Sequence, residues 1–242
     1  MIRRNQTHCI TIAAAILLIA GSLFGQPLFQ AGANFTLAFP QNEFGKSVDN
    51  NGFGGTGFFV TNIPKSPLFV GASLTFLIYG SETREEPWSQ TIPDVFVDVT
   101  TNNNIVAGHI LFRVQPPRGA VLPYLDALLG FNYLWTETSV HDQGDVDDDD
   151  IASTKQLDDI AFSFGGGGGL MFRVYSGPGG SSLKRDLLAV YVDLGFRYLK
   201  GGEAEYLKEG SIQVDNNNQV NYDIQESTTD ILSAHIGVSF AF

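Results

Sequence analysis

Two histidines and five charged residues on the predicted strands form a set whose residue types could carry out acid–base chemistry. All seven occupy the polar side of stretches in which polar and apolar residues alternate. Such a set is either catalytic or a group of buried charges that must pair with one another. Because Arg113 and Asp126 flank one short turn, we predict a pair across neighbouring strands and no catalytic residue. The seven residues are His109, Arg113, Asp126, Arg173, Asp193, Arg197 and His235.

Two other segments have compositions that suggest ligand binding, but each lacks the motif that such binding requires. The glycine run 165–169 would suit a phosphate loop, but no Lys-Ser/Thr pair follows it and Leu170-Met171-Phe172 reads as a continuing strand. Its glycines are better explained by a need for space in a narrow interior. The acidic segment 142–150 could bind Ca²⁺ or Mg²⁺ through carboxylates but lacks the spacing of an EF-hand, which favours a solvated loop. We predict neither a metal site nor a cofactor.

The elements that position these residues are strands. In each of eight stretches apolar side chains recur at every second residue, which is the strand period, whereas no segment after residue 25 shows a useful helical period. Glycine inside two of the stretches weakens the pattern without removing it. The stretches are 29–39, 54–61, 68–79, 106–115, 125–136, 160–175, 188–198 and 227–242.

The connections between these strands alternate in length. Segments 62–67, 115–121 and 176–186 are short and rich in Pro, Gly or Ser, which is typical of turns. The other four connections are long and polar, and they hold 22 of the 26 acidic residues. The alternation predicts an all-β, antiparallel up-and-down barrel with every long connection at one end. The long connections are 40–53, 80–103, 137–159 and 200–226.

Side-chain chemistry decides which face of the predicted barrel points outward. The apolar face carries almost no polar side chain, whereas the other face combines charged residues with Gly, Ser, Asn and Thr. A soluble barrel has an apolar interior, and a membrane barrel has the reverse arrangement. We therefore predict a transmembrane β-barrel whose seven charged and histidine residues form a polar network in the lumen. Aromatic residues near strand ends are predicted to lie at the two membrane interfaces: Tyr79, Tyr133, Trp135 and Tyr198 at one, and Phe29, Tyr124, Tyr175 and Phe242 at the other.

The N-terminus has the layout of a secretory signal peptide. Arg3 and Arg4 precede an apolar run without charge, and small residues follow. We predict a cleaved leader at 1–25, with Ser22 or Gly25 as the last residue removed, and a single barrel domain at 26–242. The chain's one cysteine, Cys9, lies in this leader, so no disulfide is expected. The net charge of −12 disfavours a nucleic-acid partner.

The last strand carries a family resemblance. Leu232, Ala234, Ile236, Val238, Phe240 and Phe242 alternate with small or polar residues, and the strand ends on an aromatic. The mature chain thereby resembles small outer-membrane β-barrels of the OmpA transmembrane-domain and OmpX type. The resemblance implies an assembly signal at Val238, Phe240 and Phe242, read by the barrel-assembly machinery. It also implies contact with outer-membrane lipid and lipopolysaccharide, and termini in the periplasm.

Three functions are consistent with these expectations. A non-enzymatic structural and surface role, with a plugged polar lumen, is favoured. A narrow channel for small hydrophobic molecules, as in OmpW-like members of this architecture, is the alternative. A lipid-modifying enzyme ranks third, because the histidines fall on the inward face, away from lipid.

Overall fold

A computed structural model of the chain describes residues 28–48, 50–89, 92–142, 152–177, 189–207, 213–214, 220–221 and 224–242. The predicted leader therefore lies outside the described residues. The elements in chain order are β1 (Phe29–Pro40), α1 (Phe44–Ser47), β2 (Gly52–Asn62), β3 (Leu68–Ser89), β4 (Ile92–Val114), β5 (Val121–Asp142), β6 (Ala152–Ser176), β7 (Ala189–Gly201), β8 (Glu203–Leu207), β9 (Gln213–Val214), β10 (Val220–Asn221), β11 (Ile224–Thr228) and β12 (Ile231–Ala241).

Eight of these strands form a closed barrel in the order β1-β12-β7-β6-β5-β4-β3-β2, and all neighbours are antiparallel. Each strand pairs with its neighbour in sequence among the barrel strands, and β1 pairs with β12 to close the ring. The predicted eight-stranded up-and-down barrel is confirmed. We call the end where β1 begins and β12 ends the terminal end, and the opposite end the loop end. Among the described residues no helix has the length and apolar character needed to cross a membrane.

The wall of the barrel has an apolar outside and a mixed inside. Along β5, Leu125, Leu129 and Phe131 are exposed while Asp126 and Asn132 are buried. The same alternation runs along β12, where the predicted assembly residues Val238 and Phe240 face outward, as does Phe242 just beyond the strand. Period-two alternation thus separates the two faces as the sequence predicts.

Strands β3 to β6 are longer than predicted. Segments 80–103 and 137–159 were expected to be loops, yet β3 and β4 stay paired out to Ser89 and Ile92, and β5 and β6 out to Val140 and Ala152. The extensions of β3, β5 and β6 are mostly polar on both faces, so their sequence resembles a loop. In the extension of β4, Val95, Val97 and Val99 alternate with Asp94 and Asp98, but this short pattern lies within a segment of loop-like composition. Cross-strand contacts still form there, such as the one between the Thr83 and Thr100 hydroxyl oxygens, which lie 3.0 Å apart.

The remaining two long connections also contain structure. Helix α1 lies in segment 40–53. Outside the barrel sheet, β8 in segment 200–226 pairs with β11, which extends two residues beyond that segment to Thr228. The predicted last strand, 227–242, is interrupted at Thr229 and Asp230, so β12 begins at Ile231. Asp230 stabilises this break, because its carboxylate accepts hydrogen bonds from Asn42, Tyr198 and the Gly201 backbone.

Apolar clusters fill the interior at three levels. At the loop end, Phe44 of α1 is fully buried and its ring lies 5.3 Å from that of Tyr79 and 5.2 Å from that of Tyr206. A middle cluster includes Phe58, Phe69 and Leu128. A cluster at the terminal end consists of Leu122, Tyr124, Met171, Ala189, Tyr191 and Ala241.

Candidate functional site

An ion pair between β4 and β5 is the centre of the polar interior. Arg113 and Asp126 are register partners, and two bonds join them: Nε to Oδ1 at 2.7 Å and Nη2 to Oδ2 at 2.9 Å. Arg197 of β7 adds a third bond, from Nη2 to Asp126 Oδ2 at 3.2 Å. The Arg113 guanidinium also lies over the rings of Tyr124 and Phe58, 4.0 Å and 4.7 Å from their centroids. Such cation–π contacts gain strength where water is excluded.

A second chain of hydrogen bonds is organised by the Tyr124 hydroxyl. It donates to Asp193 Oδ1 at 2.7 Å and lies 2.9 Å from His235 Nε2. Because one hydroxyl carries one proton, the bond to Asp193 requires that His235 donates from Nε2. Asn34 completes the group, with its amide nitrogen 3.4 Å from Asp193 Oδ2. Two arginines and two aspartates therefore balance each other inside one barrel.

His109 belongs to a separate pair nearer the middle of the barrel. Its Nε2 lies 3.1 Å from the Ser163 hydroxyl, and both residues are buried. A serine next to a histidine is the arrangement of an activated nucleophile. Both side chains face the interior, where the apolar clusters separate them from bulk solvent. A ladder of hydroxyl contacts joining Thr36, Thr56 and Thr75, each 2.9 Å, lies at a similar level.

The glycine run on β6 makes room for this network. Gly167 and Gly169 alternate with outward positions and face Arg197 and Tyr124. A Cβ at Gly167 would lie 2.8 Å from Arg197 Cγ, and one at Gly169 would lie 2.7 Å from Tyr124 Cζ. A Cβ at Gly195 of β7 would lie 2.7 Å from His235 Nε2. The side chains of the network therefore occupy volume that only glycine leaves free.

Six of the seven residues predicted for the lumen are buried, and one is not. Arg113, Asp126, Asp193, Arg197, His109 and His235 are at most 6% exposed. Arg173 is exposed, contrary to the prediction. Arg173 still pairs in register with Tyr191, but residues 172–176 at the end of β6 are exposed on both faces. Arg173 then lies at the rim of the terminal end rather than in the network.

Two aromatic residues predicted for the membrane interfaces lie inside. Tyr124 is 3% exposed and belongs to the network, and Tyr79 is 2% exposed and packs on Phe44. Their parity already indicated this, since Tyr124 is two residues before Asp126 and Tyr79 is out of step with the outward-facing Leu74 and Phe76. For these two residues, inward parity determines the side-chain position, and nearness to a strand end does not. Ser163 and Asn34 also occupy the inward parity but carry no charge that would single them out.

Several buried polar atoms have no hydrogen-bond partner among the described residues. They occur at the terminal end, at the centre and towards the loop end, which suits ordered internal water. A central cavity of about 20 Å³, lined among others by Thr36, His109, Arg197 and His235, has room for about one water molecule. Within the described ranges no group of three or more His, Cys, Asp or Glu side chains is placed to hold a metal ion. The unpartnered atoms include those of Gln30, Gln115 and Asn132, Asn34 Oδ1, Arg113 Nη1, Arg197 Nε and Ser239 Oγ.

Comparison with known proteins finds similarity among solved structures. No family model and no curated protein matches the chain. Neisserial surface protein A is 14% identical, with 90% of this chain and 97% of that one covered and a TM-score of 0.38. A major outer membrane protein from Thermus thermophilus is 13% identical, with 88% and 99% covered and a TM-score of 0.35. The N-terminal β-barrel domain of Pseudomonas aeruginosa OprF is 12% identical, with 90% and 100% covered and a TM-score of 0.31.

Proposed function

We propose that this chain is an integral protein of a bacterial outer membrane, with a structural and surface role and a lumen that is closed to solutes. The observation that carries the proposal is the inverted polarity of the barrel. Large apolar side chains such as Phe35, Leu129 and Phe196 are 46–60% exposed, while the Arg113–Asp126 ion pair is buried. Water would be a poor solvent for that outer face, and lipid a good one.

The height of the apolar face supports the same proposal. On β5 it runs from Val121 to Tyr133, which at roughly 3.4 Å per residue and a tilt of about 40° spans roughly 30 Å. This matches the hydrocarbon thickness of a bilayer, about 30 Å. Exposed or half-exposed aromatic side chains flank the face, with Tyr133, Trp135 and Tyr198 towards the loop end and Tyr175 towards the terminal end. The polar extensions of β3 to β6 would then project into water.

Orientation and surface role follow from where the polar extensions lie. We place the loop end outside the cell and both termini in the periplasm, because short turns face the periplasm in barrels of this kind. The acidic, extended hairpins would then form the exposed surface, where divalent cations can link them to lipopolysaccharide. Insertion would use the barrel-assembly machinery, with Val238, Phe240 and Phe242 as its signal.

A closed lumen is supported by the three apolar clusters and by the ion pairs between them. The alternative, a narrow channel, is favoured by one observation, the unpartnered polar atoms distributed along the interior. Planar-bilayer recording distinguishes the two. We expect no resolvable single-channel steps from the wild-type barrel. Regular conductance steps would contradict the closed lumen and support the narrow channel.

Among the described residues, the pair that most resembles an activated nucleophile is His109 and Ser163. We propose that this pair packs the lumen, since its side chains are 5% and 0% exposed. Expression of the protein should leave the mass spectrum of lipid A and phospholipids unchanged. New lipid species that disappear in Ser163→Ala would overturn the non-enzymatic proposal.

A further inference from the structure

The central cavity lies between two of the apolar clusters. Leu77, Ala107 and Ile231 of its lining belong to the cluster at the loop end. Leu128 and Leu199 belong to the middle cluster. The cavity volume of about 20 Å³ exceeds the roughly 10–15 Å³ that one water molecule requires. The space therefore accommodates a single monatomic ion, whereas a sulfate or phosphate group is too large for it.

The polar side of this cavity contains a buried cationic donor without a partner. Arg197 lines the cavity, donates from Nη2 to Asp126, and is 4% exposed. Its Nε is buried and has no hydrogen-bond partner among the described residues. No acidic residue belongs to the lining in the described part of the chain. A cationic N–H that is left without an acceptor in the interior favours an anion over a neutral molecule, because charge-assisted hydrogen bonds are the stronger ones.

The threonine ladder supplies a second donor. Thr36, Thr56 and Thr75 all line the cavity, and the two hydroxyl contacts between them are each 2.9 Å long. Three hydroxyls have three protons, and two contacts use only two of them. One hydroxyl proton is therefore left to donate to an occupant of the cavity, together with the Arg197 Nε–H.

The charge of an anion in this position must be balanced. Two arginines and two aspartates of the network already neutralise one another, so a bound anion requires one additional proton. His109 and His235 are the groups in the lining that can take this proton. His235 donates from Nε2 to the Tyr124 hydroxyl, and as an imidazolium it also carries a proton on Nδ1. The charged imidazole therefore gains a second donor that the neutral ring lacks.

The groups around the two imidazoles favour His235 as the site of that proton. His235 has two carboxylates among its neighbours, whereas no carboxylate among the described residues faces His109. A nearby carboxylate stabilises an imidazolium, and a nearby guanidinium opposes it. Within the described ranges, the titratable and charged groups that face His235 are Arg113, Tyr124, Asp126, Asp193 and Arg197, and the one that faces His109 is Arg197.

We propose that the central cavity binds one chloride ion together with one proton on His235. The ion accepts hydrogen bonds from Arg197 Nε, from one threonine hydroxyl and from the protonated imidazole, while the leucine side chains of the lining exclude water. Chloride suits this partly apolar site better than fluoride does, because chloride is more weakly hydrated. The proposal concerns the interior of the closed barrel and does not require membrane insertion, so it can fail while the proposed function stands.

Crystals of the full barrel in detergent, grown in sodium bromide at acidic pH, test the site directly. Bromide replaces chloride in such sites and scatters X-rays anomalously. We expect one anomalous peak in the cavity, within hydrogen-bonding distance of Arg197 Nε, and its loss at alkaline pH. A cavity that contains only a water molecule at acidic pH would overturn the proposal, and so would a bromide peak that persists unchanged at alkaline pH.

Urea unfolding of the refolded barrel measures the coupling in solution. Sodium chloride is compared with sodium gluconate at equal ionic strength, since gluconate is too large for the cavity. Chloride should raise the urea midpoint at acidic pH, because a ligand that binds the folded state stabilises it. Above the pH at which His235 loses its proton, the apparent dissociation constant for chloride should rise about tenfold per pH unit. Equal midpoints in the two salts at acidic pH, or a chloride effect that does not change with pH, would contradict the proposal.

Three variants separate the cavity from the rest of the interior. Ala107→Val adds bulk to the lining and should abolish the difference between chloride and gluconate. Ala161→Val is the matched control and should keep that difference, because Ala161 is buried in the same cluster but does not line the cavity. His235→Gln, which cannot take the proton, should remove the pH dependence, and the alanine pair keeps the test available if this variant does not refold. Equal chloride effects in the two alanine variants, or wild-type pH dependence in His235→Gln, would overturn the proposal.

Discussion

Arg113 and Asp126 are direct register partners on β4 and β5 and form a two-point ion pair with both side chains fully buried. The short turn between the two strands fixes their register, so the pair follows from local topology. Arg197 then joins the same carboxylate from β7, which is separated from β5 by β6. One carboxylate therefore links three strands of the wall.

Loss of either member of this pair should destabilise the barrel strongly. Arg113→Gln or Asp126→Asn leaves a buried charge without its partner, which costs roughly 3–5 kcal/mol. Urea unfolding of the refolded barrel, followed by heat-modifiable gel mobility, measures the change. The exposed Arg173→Gln is the control, expected within about 0.5 kcal/mol of wild type. If all three variants unfold at the same urea concentration, the pair contributes nothing to stability.

The Tyr124 hydroxyl should contribute more to the free energy of unfolding than a hydroxyl on the surface does. Tyr124→Phe keeps the ring over Arg113 but leaves Asp193 and His235 without their shared partner, a loss of roughly 1–3 kcal/mol. Tyr133→Phe provides the comparison, since the Tyr133 hydroxyl bonds Asp158 at 3.1 Å in an exposed position. Equal unfolding midpoints for these two variants would argue against the network.

Glycine at 195 should be required for packing. A methyl group there would meet the His235 ring and the Tyr124 hydroxyl, so Gly195→Ala should cost roughly 1–3 kcal/mol. Gly57→Ala adds the same methyl group where no heavy atom lies within 4 Å, and it should be nearly neutral. A neutral Gly195→Ala would show that the interior can rearrange around added volume.

The last aromatic should affect assembly more than stability. Phe242 is 37% exposed, and its backbone, which the substitution retains, bonds Leu28 and Phe29. Phe242→Ser should therefore lower the amount of barrel in the outer membrane of expressing cells severalfold, while refolding in detergent stays close to wild type. If Phe242→Ser lowered refolding in detergent as much as it lowered the amount of barrel in the membrane, Phe242 would be a structural residue and not an assembly signal.

The fold could be predicted from the sequence because period-two alternation and turn composition are properties of neighbouring residues. Sequence reasoning found the Arg113–Asp126 pair for the same reason, since a short turn connects the two residues. It did not find the Tyr124–Asp193–His235 group, because three distant strands come together only when the barrel closes. It misplaced Arg173, because a pattern of alternating residues does not show where the end of β6 becomes exposed on both faces. It predicted loops for the extensions of β3, β5 and β6, because a strand with two polar faces has no hydrophobic period. In the extension of β4 the alternation at 95–99 is short and lies among polar residues, so it did not predict a strand either.

The inverted polarity of the barrel can be measured with a nitroxide label and its collisions with oxygen and with a water-soluble nickel complex. A label is attached to a cysteine at Leu129, which is outward-facing and 46% exposed, or at Thr83 in the polar extension of β3. In reconstituted vesicles the account predicts high oxygen and low nickel accessibility at 129, and the reverse at 83. High nickel accessibility at position 129 in the folded barrel would mean that its outer face meets water, which would contradict the membrane barrel.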